Sequence, residues 1–312
     1  MNNKISRIAL AAGLVGIVAC NNTETPLSTP TSGSTNISID ESFQPIMESM
    51  VDTFESIYDR ADIEADYKSE GEVLKDFLND STRVIILSRE LTPAEEASFK
   101  QKKLIPRTTK IAIDAVALIT NPNNQDTLLT MEEVRSIFNG ESTSWKGLDE
   151  KSGQGDITIV FDNNNSSTAR YVRDSLTTNQ KLPENTFAAN SHKALIDYVA
   201  ENENAMGVIG VNWISDLDDS TAISFLNKVN VLGISEESNP QTTESFYQPY
   251  QAYIAQGVYP LRRFLYVIST EGRAGLGTGF ASFIGGDQGQ RIFLKSGLVP
   301  ATMPVRVIGL GN

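Results

Sequence analysis

Polar and apolar positions along the chain switch repeatedly between two periods. Residues 36–40 (NISID) and 63–67 (IEADY) alternate one by one, the period of a half-buried strand. Ile46, Met50, Phe54 and Ile57 instead recur at helical spacing within 43–58. Helical spacing returns over 72–78, 129–138, 166–176, 193–200 and 279–294, the last with a Gly-rich interruption. Short apolar runs at 83–87, 156–161, 207–210 and 260–269 read as strands, and 110–120 (KIAIDAVALIT) as a longer one closed by Asn121-Pro122. Strands alternating with helices predict an α/β fold. Residues 216–251 begin with an acidic patch and show no sustained period, so they are expected to be irregular.

Residues 1–20 stand apart from this pattern. Lys4 and Arg7 precede an apolar run at 8–18, shorter than the roughly 18 residues a membrane-spanning helix needs. The run ends in Ile17-Val18-Ala19-Cys20, which resembles the lipobox of bacterial lipoproteins, whose cysteine thiol receives the lipid. A lipoprotein signal peptide over 1–20, lipidated at Cys20, is therefore expected, and membrane contact through that lipid alone. Cys20 is the only cysteine, so an intrachain disulfide and a Cys-based metal site or nucleophile are excluded. Residues 21–35 are mostly Thr, Ser, Asn and Pro, with too little apolar surface to offset ordering, and are expected to form a flexible tether. The chain from 36 onward is long enough for two lobes of ordinary size.

Charge narrows the functional classes. With 26 Lys and Arg against 39 Asp and Glu, the net charge of -13 argues against nucleic acid and anionic membrane surfaces as partners. An anion would have to be held by the local chemistry of a site. The single histidine, His192, disfavours His-dependent metal sites and triad hydrolases, and there is no Gly-x-Ser-x-Gly elbow or P-loop. A binding protein without cofactor or metal is expected, not an enzyme.

Three places repeat one local arrangement of strand, hydroxyl-bearing turn and helix: 40–43 (DESF), 68–71 (KSEG) and 163–168 (NNNSST). Helix N-termini offer free N–H groups and the positive end of the dipole, and Ser and Thr add donors without charge. Each, taken alone, also reads as an ordinary N-cap. The third opens a helix carrying Arg170 in its first turn, which the dipole disfavours unless an anion sits there.

The order of these motifs resembles the periplasmic phosphate-binding subunits of bacterial phosphate ABC importers, a family of type II periplasmic binding proteins. Ser42-Phe43-Gln44-Pro45 is similar to the family's opening Ser/Thr-Phe-Pro turn, Tyr67-Lys-Ser-Glu-Gly71 to its Tyr-x-Ser-x-Gly segment, and Ser88-Arg-Glu-Leu91 to its Ser-(Asp or Arg)-x-Leu strand end. Ile137-Phe-Asn-Gly140 followed by Trp145, Ser166-Ser-Thr168, the 205–210 strand, Tyr259-Pro-Leu261 and the closing 289–300 segment follow in the family's order. The resemblance implies a two-lobed Venus-flytrap fold with crossover strands near 110–120 and 257–269. Lobe 1 would be 36–115 plus 258–312, and lobe 2 would be 116–257.

The resemblance further implies a monomer in the cell envelope, in the periplasm or on the outer face of a membrane. It would take inorganic phosphate as ligand and the membrane subunits of an ABC importer as partners. Ser42, the Phe43 backbone, Ser69, Ser166, Ser167 and Thr168 would then contact the oxyanion. Two positions depart from the family: Arg89 stands where well-known members place a proton-accepting Asp, and Asp162 stands where an Arg is common. Arg89 and Arg170 are accordingly expected beside the ligand, Arg170 replacing the lost cation, and Asp162 and Glu70 are the candidate proton acceptors. The changed acceptor leaves sulfate, molybdate or an organic phosphate as alternative ligands. A phosphate-sensing envelope lipoprotein without an importer is the alternative role.

Overall fold

The computed structural model describes residues 28–148, 152 and 155–305. The expected signal peptide, Cys20 and the first part of the tether lie outside the described residues. Two α/β halves share one long strand, β4 (Arg107–Thr120). Its first part, Arg107–Ala115, pairs antiparallel with β11 (Arg262–Ser269), and its second part, Val116–Thr120, pairs antiparallel with β8 (Ala205–Gly210). On one side of β4 and β11 lie β3 (Val84–Leu87), β1 (Ser32–Asp40) and β2 (Arg60–Lys68), with β12 (Val299–Pro300) paired to β4. On the other side β8 is followed by β6 (Thr158–Phe161) and β7 (Thr186–Ala188), with β9 (Asn230–Val231) on β4. A separate parallel pair joins β5 (Leu128–Thr130) to β10 (Gly233–Ser235).

The composition of β4 follows from this position. From Ile111 onward every residue but Ile113 is buried, so the strand needs a near-continuous apolar run instead of alternation. Asp114 is the one charged residue in that run. It is fully buried and directly opposite Arg263 on β11.

The first half carries α1 (Gln44–Ile57), α2 (Glu70–Leu78), α3 (Pro93–Gln101), α10 (Leu276–Gly285) and α11 (Asp287–Lys295). Its main core joins Ile37, Ile39, Phe54, Phe280 and Phe293, and a smaller one under α2 and α3 joins Val73, Phe77 and Phe99. The second half carries α4 (Met131–Phe138), α5 (Trp145–Leu148), α6 (Ser167–Leu176), α7 (His192–Glu201), α8 (Ser220–Leu226) and α9 (Gln251–Gln256). Its core gathers Ile119, Phe138, Trp145, Val160, Ile209 and Tyr259. The α/β class and the shared crossover agree with the sequence reading.

Several elements differ from the periodicity. Ser32–Thr35, expected to belong to the tether, form the start of β1 and pair in register with Arg60–Ile63. Ladder hydrogen bonds to the neighbouring strand order this polar segment without an apolar face. The helix expected over 129–138 begins only at Met131, because Thr130 and Glu133 close a capping box: Thr130 Oγ1 accepts from Glu133 N at 3.2 Å, and the Glu133 carboxylate accepts from Thr130 N at 2.7 Å. The segment 279–294 is two helices, divided at Gly286. Within 216–251, expected to be irregular, Asp219 caps α8 by accepting from Ala222 N at 2.8 Å, and β9 and β10 find partners far along the chain.

Candidate functional site

The N-termini of α1, α2 and α6 come together where β4 and β11 pass between the halves. β1 ends at Asp40, whose Oδ1 accepts from Ser42 N at 3.0 Å and so shapes a single 3-10 turn, Glu41–Phe43, ahead of α1. Ser42 and Phe43 are fully buried. In the other half Ser166 caps α6, its Oγ accepting from Ala169 N at 3.2 Å, which sets Ser167 and Thr168 in the first helical turn. The two halves meet as the Ser167 hydroxyl donates to Ser42 Oγ at 3.1 Å. The Ser42 carbonyl in turn accepts from Trp213 Nε1 at 2.9 Å and from Asn212 Nδ2.

Arg263 supplies the positive charge of this junction. Its Nε donates to Asp114 Oδ2 at 2.8 Å, and Nη1 reaches Ser167 Oγ at 3.1 Å and Thr168 Oγ1 at 3.4 Å. The guanidinium lies over the Phe43 ring, 4.7 Å from its centroid. Gly210, at the end of β8, makes room for it, since a Cβ there would stand 2.7 Å from Nη2. Burial pushes the Asp114 pKa up against the opposing pull of Arg263. Burial likewise raises Asp40 to about 7; Glu70 adds to the shift, while Arg263, the nearby Ser167 hydroxyl and the Ser42 N–H oppose it. Among the described residues, Arg263 Nη2, Asp40 Oδ2 and Asp114 Oδ1 are buried without a hydrogen-bond partner. A free donor and free acceptors thus converge on one junction rich in hydroxyls. Such a set can hold an anion that also has a proton to give.

The expected charged residues are distributed differently. Arg170 grips Glu70 across the two halves, Nε to Oε1 at 2.6 Å and Nη2 to Oε2 at 3.0 Å, and Nη2 also donates to Ser88 Oγ at 2.8 Å. Arg89 donates to Glu70 Oε1 at 3.1 Å and forks onto Glu95 at 2.8 and 2.9 Å. Both guanidinium groups are therefore matched by carboxylates, and both Glu70 oxygens are occupied. Ser69 donates to Glu72 Oε2 at 2.7 Å in a capping box that starts α2. These groups line an open cleft of about 430 Å³ with Asn163, Asn165 and Arg173. Asp162 is buried and turned toward His192, whose Nε2 stands 3.6 Å from Oδ2. A larger cavity of about 660 Å³, lined by Val211, Leu226, Val229, Tyr250 and Leu294, shares no residue with this junction.

Arg263, Asp114 and Asp40 were not anticipated as site residues. A lone carboxylate inside the apolar run of β4 was the available signal, because a buried charge demands a partner.

Two α/β halves joined at β4 and β11, with polar groups meeting between them, define a two-lobed α/β fold with a candidate ligand site at the junction. The chain belongs to the PBP superfamily: residues 24–288 match the PBP superfamily domain. It is 23% identical over 241 residues to the phosphate-binding protein PstS of Staphylococcus saprophyticus, covering 77% of this chain and 71% of the relative. It is 25% identical over 133 residues to phosphate-binding protein PstS 2 of Streptococcus agalactiae, covering 43% of each. In fold it is similar to a Clostridium perfringens phosphate ABC transporter substrate-binding protein crystallised with bound phosphate. The TM-score there is 0.71 at 22% identity, covering 86% of this chain and 100% of that one.

Proposed function

We propose that this protein captures inorganic phosphate between its two lobes and delivers it to an ABC importer. The observation that carries this reading is the pair of buried, unpartnered atoms Arg263 Nη2 and Asp40 Oδ2 beside the hydroxyls of Ser42, Ser167 and Thr168. Hydrogen phosphate accepts hydrogen bonds on its oxygens and keeps a proton to donate, so it engages both kinds of group at once. The N-terminus of α6 adds the favourable end of a helix dipole. The relatives named for phosphate binding point the same way. The lobes divide where β4 changes partner between Ala115 and Val116, and the β4–β11 ladder is the natural hinge. The Arg170–Glu70 pair is then a clasp made on closure.

Titration calorimetry with phosphate, sulfate and molybdate tests this reading. Phosphate is expected to bind most tightly. Thr168→Ala, which removes a hydroxyl from the junction, should weaken it about tenfold, the worth of one hydrogen bond to a charged group. Unchanged binding in Thr168→Ala would put the ligand somewhere else.

A lipid on Cys20 would hold the receptor at the membrane, where a substrate-binding protein meets its importer. Among the described residues no helix is long and apolar enough to cross a membrane. Cys20→Ala is expected to release the protein into the soluble fraction and to abolish incorporation of labelled palmitate. Equal labelling of both proteins would remove the anchor.

A further inference from the structure

We infer that the junction has a second subsite, formed by Asp162 and His192, that takes an ammonium group, so that small organophosphorus anions bearing a primary amine are ligands. The inference rests on the oxyanion reading above. Asp162 lies in the loop between β6 and α6 that ends at Ser166 and leads directly into Ser167 and Thr168 of the first helical turn. It is 1% exposed, and among the described residues neither of its carboxylate oxygens has a hydrogen-bond partner. A buried carboxylate in that condition is costly unless a ligand completes it. His192 beside it, 6% exposed, has an unpartnered Nε2. The imidazole is stacked on Trp213 at 4.1 Å between centroids, and Trp213 donates to the Ser42 carbonyl. The pair is thereby tied to the loop that carries the oxyanion donors.

Carboxylates crowd this side of the junction without a cation of their own. Glu41 has its pKa raised by burial, then by Asp162 and Glu72. Asp40 contributes the unpartnered Oδ2. The nearby cations face other groups: Arg263 turns to Asp114, Ser167 and Thr168 and keeps its Nη2 for the oxyanion, Arg170 and Arg89 hold Glu70, and Arg173 donates to the Asn164 carbonyl. Inorganic phosphate fills the donor side and brings nothing to Asp162. An ammonium carries three N–H donors, and the two unpartnered Asp162 oxygens are acceptors for them, with the neutral His192 ring beside them. Burial keeps that imidazole neutral, its pKa lowered to about 4, with Asp162 opposing the shift and Arg263 adding to it. No trio of His, Cys, Asp and Glu suited to a metal ion occurs among the described residues.

Calorimetry on the purified, untagged protein with inorganic phosphate, 2-aminoethylphosphonate and ethylphosphonate tests the subsite. The amine should tighten binding about tenfold or more over ethylphosphonate, and Asp162→Asn should remove most of that advantage. Because His192 is the only histidine, its imidazole NMR signals report on the subsite directly. They should shift with 2-aminoethylphosphonate and hold still with ethylphosphonate. If phosphate binds but the two phosphonates bind equally, or the advantage survives in Asp162→Asn, the ammonium subsite is overturned and the oxyanion site stands. If none of the three binds, both readings fall.

Discussion

Arg263→Met is expected to lower phosphate affinity by about a hundredfold or more. Among the described residues the guanidinium is the one cation in contact with both Ser167 and Thr168, through Nη1, and its Nη2 has no hydrogen-bond partner. Removing a charged donor from a desolvated site forfeits its bonds and leaves its partner unpaired. The same substitution strands Asp114, which is fully buried. Breaking a buried ion pair from one side costs about 3–5 kcal/mol, reduced here as Asp114 takes up a proton, a change that burial already favours. The double variant Arg263→Met/Asp114→Leu separates the two effects. It should recover stability in a denaturant melt, because an apolar pair of similar volume replaces the ion pair, and should still fail to bind. Tight phosphate binding by either variant would mean that Arg263 is only a structural partner of Asp114.

Selectivity for phosphate over sulfate should fall by about tenfold between pH 8 and pH 6. Asp40 has its pKa raised to about 7 by burial and by Glu70, with Arg263 opposing. Above that pH its carboxylate accepts the proton of hydrogen phosphate and repels sulfate, which has none to offer. Below it, Asp40 carries its own proton and donates to either anion, so the penalty on sulfate disappears. Asp40→Asn removes the titrating carboxylate, so the pH dependence left in its ratio belongs to phosphate itself and should be clearly smaller than in the wild type. The raised pKa also acts on folding: protonated Asp40 favours the native state, a contribution complete below about pH 4 and lost as pH rises through about 7. Competition titrations at pH 8 and pH 6 decide the matter, and a constant ratio in the wild type would remove Asp40 as the discriminating group.

Each of these results tests a different physical source of recognition. In the proposed site Arg263 would supply charge in a protein that is acidic overall, and Asp40 would supply the acceptor that a set of donors cannot. Arg170 and Arg89 are both paired with Glu70, so in the proposed site the anion's charge would fall to Arg263, which is more deeply buried.

What the sequence by itself determined are the features written within a few residues of one another. Alternation and helical spacing marked the strands and helices that build both halves, and the hydroxyl turns at Ser42, Ser69 and 166–168 were legible because capping involves residues only two or three positions apart. The apolar run of β4 announced a strand covered on both faces, and Arg89, Arg170, Glu70 and Asp162 were recognisable as charges next to those turns. Their partners were not. Arg170 meets Glu70 from 100 positions away and Arg263 meets Asp114 from 149, distances over which no local pattern carries information. The antiparallel register of β4 and β11 alone sets Arg263 opposite Asp114, and the approach of the two halves alone brings Ser167 to Ser42. Short elements such as α8 and β9 have too few residues to show a period and exist because the folded core gives them a surface to cover. Which groups end with partners and which do not is a property of that tertiary arrangement, so Asp40 and Arg263 became visible as candidate site residues only in three dimensions.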